Sequence, residues 1–171
     1  QRVFECKETG DNLSLRKNNI IRSIANSILS QRLLLLSKKK NSSFTKGVAY
    51  AHDSWDFITN AGIELQSTPE KWKESLRTAE HELRRVLKYG FLQAELDEFK
   101  AKTLNMLEEA VKRSKTRKSR DLSNELARTI NDNKVFTSPQ QNLEIYKKIL
   151  NEMTVEDCHQ CLKEVWGDQD R

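Results

Sequence analysis

Four short patterns bring together side chains that could do chemistry. Arg77-Thr78-Ala79-Glu80-His81 has the shape of an inverted zinc motif, H-x-x-E-H. In that motif two histidines one helical turn apart hold the metal and the glutamate activates water. Arg77 stands where the first histidine belongs, and a guanidinium stays protonated and cannot ligate a cation. His81 has no second histidine beside it, so the pentapeptide reads as helix surface. Cys158-His159-Gln160-Cys161 could be half of a zinc site or a redox pair. A zinc site takes four ligands, and no second Cys/His pair stands at a suitable spacing. The same residues fall on an apolar helical stripe, where cysteines are ordinary core residues. His52-Asp53 beside Tyr50 could serve as a base and its orienter, but the sequence identifies no nucleophile. A turn-capping Asp53 is the simpler reading.

The fourth pattern is the basic run Lys112-Arg113-Ser114-Lys115-Thr116-Arg117-Lys118-Ser119-Arg120. Such runs can bind phosphate backbones. No aromatic residue is interleaved to stack bases, and the run falls where a long helix should end, where cations favour the helix dipole. A solvated helix end is the expectation, with a helical interaction or nucleic-acid module at 112–120 as the alternative. The residues therefore assign no catalytic, cofactor-binding or metal site to this chain.

The elements that would position these patterns follow from periodicity. From Phe57 to Gln66 the residues alternate, with Phe57, Thr59, Ala61, Ile63 and Leu65 on one face, which is a half-buried strand. Thr68-Pro69 reads as an N-cap with proline at the first helical position. Trp72, Leu76, Ala79, Leu83, Val86 and Leu87 then form one apolar stripe, and Lys88 and Gly90 end the helix. Leu96, Phe99, Thr103, Met106, Leu107 and Ala110 predict a second long helix. Upstream, residues 3–7 suit a short strand, and Gly10-Asp11-Asn12 a turn. A long helix over 14–37 points Ile21, Ile24, Ala25, Ile28 and Leu29 inward, and 38–43 is a polar loop. Residues 44–52 suit a strand with Phe44, Val48 and Tyr50 on one face, turned by Asp53-Ser54 into the next. Three more helices follow. One carries Leu122, Leu126 and Ile130. One opens on the capping box Ser138-Pro139-Gln140-Gln141 and carries Leu143, Tyr146, Ile149 and Leu150. The last runs from Thr154 to Trp166-Gly167 with Val155, Cys158, Cys161, Leu162 and Val165 on its stripe. The order predicts an α+β fold, a small antiparallel sheet covered by several long amphipathic helices.

Composition bounds the rest. With 171 residues, 36% hydrophobic and 32% charged, the chain can bury one real core and is expected to be a single domain over 1–171. Five glycines and two prolines argue against a loop-rich or disordered chain. The net charge of +5 comes from many charges of both signs and does not by itself indicate nucleic acid. Three cysteines, Cys6, Cys158 and Cys161, make a disulfide framework a poor reading and leave Cys6 without an assigned role. No apolar run approaches the ~18 residues a membrane helix needs. The start at Gln1 has neither initiator Met nor signal pattern, so the chain is expected to be a piece of a longer multidomain protein.

Five patches together resemble the non-catalytic domain of the pitrilysin/insulinase family of zinc metallopeptidases. Pro69, Trp72 and Ser75-Leu76 are similar to the family's proline followed by x-W-x-x-A-L, and Gly90-Phe91 through Glu95-Leu96 to its G-F-x-x-x-E-L. Ile28-Leu29-Ser30-Gln31-Arg32-Leu33 resembles L-N-x-R-L, and Leu107-Glu108-Glu109-Ala110-Val111 the close of the long helix. Residues 142–157 resemble the family's last helix pair. The resemblance implies repeated α+β domains in two halves around a peptide chamber, with zinc held on the first long helix of a different, catalytic domain. The matching helix here, 14–37, has no histidine. The resemblance thus implies a catalytically silent domain. Its partners would be a catalytic domain on the same or a paired chain and a peptide substrate. The resemblance implies zinc in its parent and allows a periplasmic or membrane-associated location for it, while the residues themselves assign no compartment.

Overall fold

A computed structural model describes residues 1–5, 10–54 and 58–167. The elements run β1 (Arg2–Glu5), α1 (Leu13–Ser37), β2 (Lys46–Ser54), β3 (Ile58–Gln66), a 3₁₀ turn (Pro69–Lys71), α2 (Trp72–Tyr89), α3 (Gln93–Ser114), α4 (Ser119–Asn131), α5 (Pro139–Glu152) and α6 (Val155–Trp166). The strands form one antiparallel sheet in the order β1-β3-β2. The fold is α+β, as the periodicity predicts. Phe57, Cys6 and Lys7, which carry sequence expectations, lie outside the described residues.

Helix α1 is the centre of the packing. Asn12 caps it by accepting the Leu15 N–H at 2.8 Å. Ile21, Ile24, Ala25, Ile28, Leu29 and Leu33 are buried along one side, which lies across β2. Close approach is possible because β2 turns small residues inward. Gly47 and Ala49 are buried and Ala51 is half-buried. A Cβ on Gly47 would sit 3.0 Å from Leu33 Cβ and 3.1 Å from Leu65 Cδ2. This corrects the expected strand face. Phe44 precedes β2 and is buried, whereas Val48 is exposed and Tyr50 lies on the outer side, its ring over the Cβ-less Gly62 opposite. β2 is an edge strand, and the Ser30 hydroxyl accepts the Ala49 N–H at 2.9 Å while lying 3.0 Å from the Ala49 carbonyl. Helix α1 thereby covers part of an otherwise open edge.

The remaining helices follow their caps more faithfully than their stripes. Proline does open the path after Thr68, but its first turn is 3₁₀ and the Thr68 side chain caps nothing. The α2 stripe is rotated. Trp72 and Leu76, expected in the core, are 55% and 58% exposed, while Ser75, Ala79, Glu82, Leu83 and Val86 are buried. The buried Ser75 hydroxyl lies 2.8 Å from the Ser43 carbonyl and 2.9 Å from Lys71 O, so a polar anchor sets the rotation of this helix. On α3, Leu96 is buried and Phe99 and Leu107 are half-buried, but Met106 faces solvent. The capping boxes at Ser138/Gln141 and Thr154/Asp157 both form. Helix α5 packs on α3, and α6 packs on α1 through Cys158, Leu162 and Val165. Arg2 on β1 donates to the Val165 and Gly167 carbonyls at 2.8 and 2.9 Å, tying the sheet to the end of α6.

Gly90 ends α2 with φ 72° and ψ −154°, a conformation open essentially to glycine, and its N–H bonds Val86 O at 2.7 Å. The His159 ring lies against it, 3.1 Å from where a Cβ would be. Gly90→Ala is expected to destabilise the chain by about 1–3 kcal/mol. Urea unfolding would show a lower midpoint with an unchanged slope.

Candidate functional site

The densest group of charged side chains lies where α1 meets the α2–α3 corner. Arg32 of α1 donates from Nε to Glu95 Oε1 and from Nη2 to Glu95 Oε2, both at 2.6 Å, a bidentate pair. Its Nη2 also reaches the Gly90 carbonyl at 3.3 Å, and its guanidinium carbon lies 5.7 Å from the Phe91 ring centre. Glu95 Oε2 accepts the Leu92 N–H at 2.8 Å, so the carboxylate that holds Arg32 also caps α3. Glu82, 4% exposed, adds ion pairs to Arg32 at 3.5 Å and Arg85 at 3.2 Å. Burial alone would raise the Glu95 pKa. The Arg32 donors, the Leu92 N–H and the charges of Arg32 and Arg85 reverse this and hold it below the ordinary 4.5. Arg32 and Glu95 are turned toward protein groups, while Glu82 Oε1 meets its cations at ion-pair distance and makes no hydrogen bond. This is a structural cluster, built from two of the patches singled out in the sequence, 28–33 and 90–96.

A second, half-buried pair joins α1 to the sheet. Asp53 accepts from Arg22 Nη1 at 2.8 Å and from the Thr59 hydroxyl at 2.7 Å. Asp53 is thus not a turn cap. It lies within β2, opposite Thr59, and faces inward. His52, one residue earlier, is on the outer side with its ring 5.5 Å from that of Tyr50. The pleat sends His52 and Asp53 to opposite faces, so they form no base-and-orienter pair.

The other patterns separate in the same way. His81 is exposed on α2, and Glu80 pairs with Arg84 at 2.8 Å on the helix surface. Cys158 is fully buried and Cys161 half-buried. Burial pushes their thiols up to about 12 and about 11, which makes both poor nucleophiles and poor ligands. His159 Nε2 lies 2.9 Å from the Leu87 carbonyl, so this ring serves the end of α2. Among the described residues no three His, Cys, Asp or Glu are grouped to hold a metal.

The basic run behaves differently. Helix α3 ends at Ser114 with Lys112 and Arg113 in its last turn, and α4 starts at Ser119. Lys112 pairs with Glu109 at 2.8 Å and Arg117 with Glu125 at 2.5 Å. An open cleft of about 520 Å³ lies between α3, α4 and the start of α5. Leu107, Ala110 and Pro139 contribute to it, as do Arg113, Arg117 and Lys118. A cleft could not be read from the sequence, because it depends on how three helices diverge.

Two predictions follow from the buried pairs. Arg32→Ala leaves the half-buried Glu95 without its bidentate partner and the buried Glu82 with Arg85 alone, and should cost about 3 kcal/mol by urea unfolding. Replacing the pair together, Arg32→Met with Glu95→Leu, should recover much of that loss. The second prediction concerns acid. Arg16 and the Val135 N–H hold Asp11 low against a smaller cost of burial. Burial opposes the Arg22 and Thr59 bonds at Asp53, and the bonds prevail. The Thr154 N–H and hydroxyl lower Asp157. A carboxylate with a depressed folded pKa contributes fully above its unfolded value, and that contribution is lost as pH falls through the folded one. The urea midpoint should therefore hold near neutrality and fall from about pH 5 downward. Glu95→Gln should lower it at neutral pH and far less in acid.

No family model matches the sequence, and no curated protein matches it. Solved structures nevertheless share the fold. The first half of the periplasmic protease PqqL from Escherichia coli superposes with a TM-score of 0.83 at 19% identity, over 95% of this chain and 35% of that one. A protein described as a predicted insulinase family protease from Yersinia pestis superposes with a TM-score of 0.78 at 15% identity, over 95% of this chain and 36% of that one. A peptidase M16 inactive domain from Pseudomonas fluorescens does so at 0.58 and 19% identity, over 86% of this chain and 34% of that one. This chain spans about a third of the length of each. Its fold is the one found in these M16 and insulinase-type proteases.

Proposed function

We propose that residues 1–171 are a single non-catalytic domain of a zinc-dependent metalloendopeptidase of the pitrilysin/insulinase type. In this reading the domain is scaffold and wall of a chamber that encloses peptides. Zinc and hydrolysis come from another domain on the same or a paired polypeptide.

One observation carries the reading. Helix α1, the counterpart of the helix that holds zinc in the catalytic domain by resemblance, contains no His, Cys, Asp or Glu anywhere from Leu13 to Ser37. Its polar residues are committed to structure. Arg22 holds Asp53, Ser30 covers the β2 edge and Arg32 holds Glu95. A zinc ion needs His, Cys or carboxylate donors, and this helix offers none. The likeness to a domain described as inactive agrees with that reading.

Metal analysis of the purified 171-residue chain should find well below one zinc per chain, and the chain alone should cleave no peptide. One tightly held zinc per chain would overturn the proposal. The encoding gene should carry an H-x-x-E-H motif in a neighbouring or partner domain. An unrelated domain in its place would also overturn it.

A further inference from the structure

Helix α4 presents its more polar edge to the rest of the protein. Leu122, Leu126 and Ile130 repeat every four residues and form one apolar stripe, the side expected to pack. Yet no residue of α4 is buried. Leu122, Glu125 and Thr129 are half-buried, whereas Leu126 is 37% and Ile130 73% exposed. The protein-facing side thus carries Glu125 and Thr129, and most of the stripe meets solvent. A 13-residue helix is marginal in water unless an amphipathic face is packed. This orientation leaves much of that stabilisation unused.

The cleft of about 520 Å³ beside it is the complementary half. Asp121 and Glu125 of α4 line it, and so do the apolar Leu107 and Ala110 of α3. In an α-helix consecutive residues stand about 100° apart. Asp121, Glu125 and Thr129 are each followed by a residue of the stripe, Leu122, Leu126 and Ile130. A roll of α4 by one residue, about 100°, therefore exchanges the whole row. It turns Leu126 toward Leu107 and Ala110 and returns both carboxylates to water. Arg113, Arg117 and Lys118, also on the walls, have stems long enough to keep their charges in solvent.

The contacts of α4 allow such a roll. Arg117 pairs with Glu125 at 2.5 Å in the present orientation, and the two side chains keep 23% and 44% exposure, so solvent weakens the pair. Residues 115–118 form a short link to α3. At the other end Asn133 takes φ 50° and the chain folds back, with the Lys134 N–H on the Thr129 carbonyl at 2.9 Å. Beyond that link the chain is fixed again. Asp11 accepts the Val135 N–H and Arg16 donates to the Val135 carbonyl, both at 2.8 Å. The flanks of α4 are anchored and the helix between them is lightly held. Rotations of this kind are absorbed by a few link residues.

We propose that α4 is a strap that rolls between two positions. The position in this structure leaves the cleft open. In the other, Leu126 and Ile130 turn into the cleft against Leu107 and Ala110 and fill it. The Arg117–Glu125 pair favours the open position, and burial of the stripe favours the closed one. The roll controls access to an apolar surface of the domain. It rests on the phase of the helix and the cleft beside it, and does not depend on the peptidase reading.

Disulfide trapping and hydrogen exchange on the full 171-residue chain test it. Ala110→Cys combined with Leu126→Cys should form a 110–126 bridge under oxidised glutathione, located by peptide mapping. Ala110→Cys combined with Ala127→Cys, one residue further round the helix, should not bridge. Leu126→Gln combined with Ile130→Gln removes the stripe without lowering helix propensity. The α4 amides of that variant should exchange at least ~10-fold faster than those of the parent chain. A static helix with both side chains in water would exchange as before. Arg117→Ala should slow α4 exchange at least ~2-fold by freeing the helix to seat. If the ion pair merely props up a static helix, exchange would quicken instead. No 110–126 bridge, a 110–127 bridge formed as readily, unchanged exchange in the double Gln variant, or unchanged or faster exchange in Arg117→Ala would each overturn the proposal.

Discussion

The bidentate pair between Arg32 and Glu95 is the constraint on which the arrangement of the helices depends. It joins the C-terminal part of α1 to the first turn of α3, residues 63 positions apart. The same carboxylate caps α3, and the same guanidinium reaches the Gly90 carbonyl at the end of α2. One pair thus fixes where one helix stops, where the next starts and how both sit against a third. Glu82 sharpens the demand. Its carboxylate is almost wholly buried, and it is tolerable only because Arg32 and Arg85 stand beside it. A cluster of this kind is costly to break and contributes chiefly by excluding other packings.

Around that corner the chain uses small residues where larger ones would hold elements apart. Gly47, Ala49 and Ala51 let α1 lie close on β2, and Gly90 lets α2 end against His159. Gly62 leaves room for the Tyr50 ring on the outer face of the sheet. These choices agree with the polar ones. Ser30 can reach the β2 backbone only because the helix is close, and Arg22 can reach Asp53 for the same reason. The groups that look most chemical, Asp53, Cys158, His159 and Glu95, are all spent on holding this arrangement. Each of these four is buried, paired or turned toward backbone.

Much of the fold was legible in the sequence because it is local. Helix starts at Ser138 and Thr154 and the stop at Gly90 are set by residues within one turn of each other, so spacing alone shows them, whereas Asn12, read as part of a turn, proves to be the cap of α1. The buried side of α1 was legible because its apolar residues Ile21, Ile24, Ala25, Ile28 and Leu29 keep the three–four spacing of one helical face. The α2 stripe misled at Trp72 and Leu76. Apolar periodicity reports that a face exists, while the buried Ser75 decides how that face is turned. The face of β2 misled for a related reason, since large residues at Val48 and Tyr50 read as core. The neighbour actually required Gly47 and Ala49.

What the sequence alone determined was the order of elements, most of their caps, and the absence of any His, Cys, Asp or Glu on α1. Each depends only on residue type and short-range spacing. What the tertiary structure alone decided was which patches meet. Arg32 and Glu95 lie in separate motifs, and their contact requires the whole α1–α2–α3 corner. His52 and Asp53 are adjacent in sequence yet the pleat sends them to opposite faces. The cleft beside Arg113 and Lys118 exists only because α4 diverges from α3 and α5. These are long-range outcomes, set by how buried surfaces fit, and no local pattern encodes them one residue at a time.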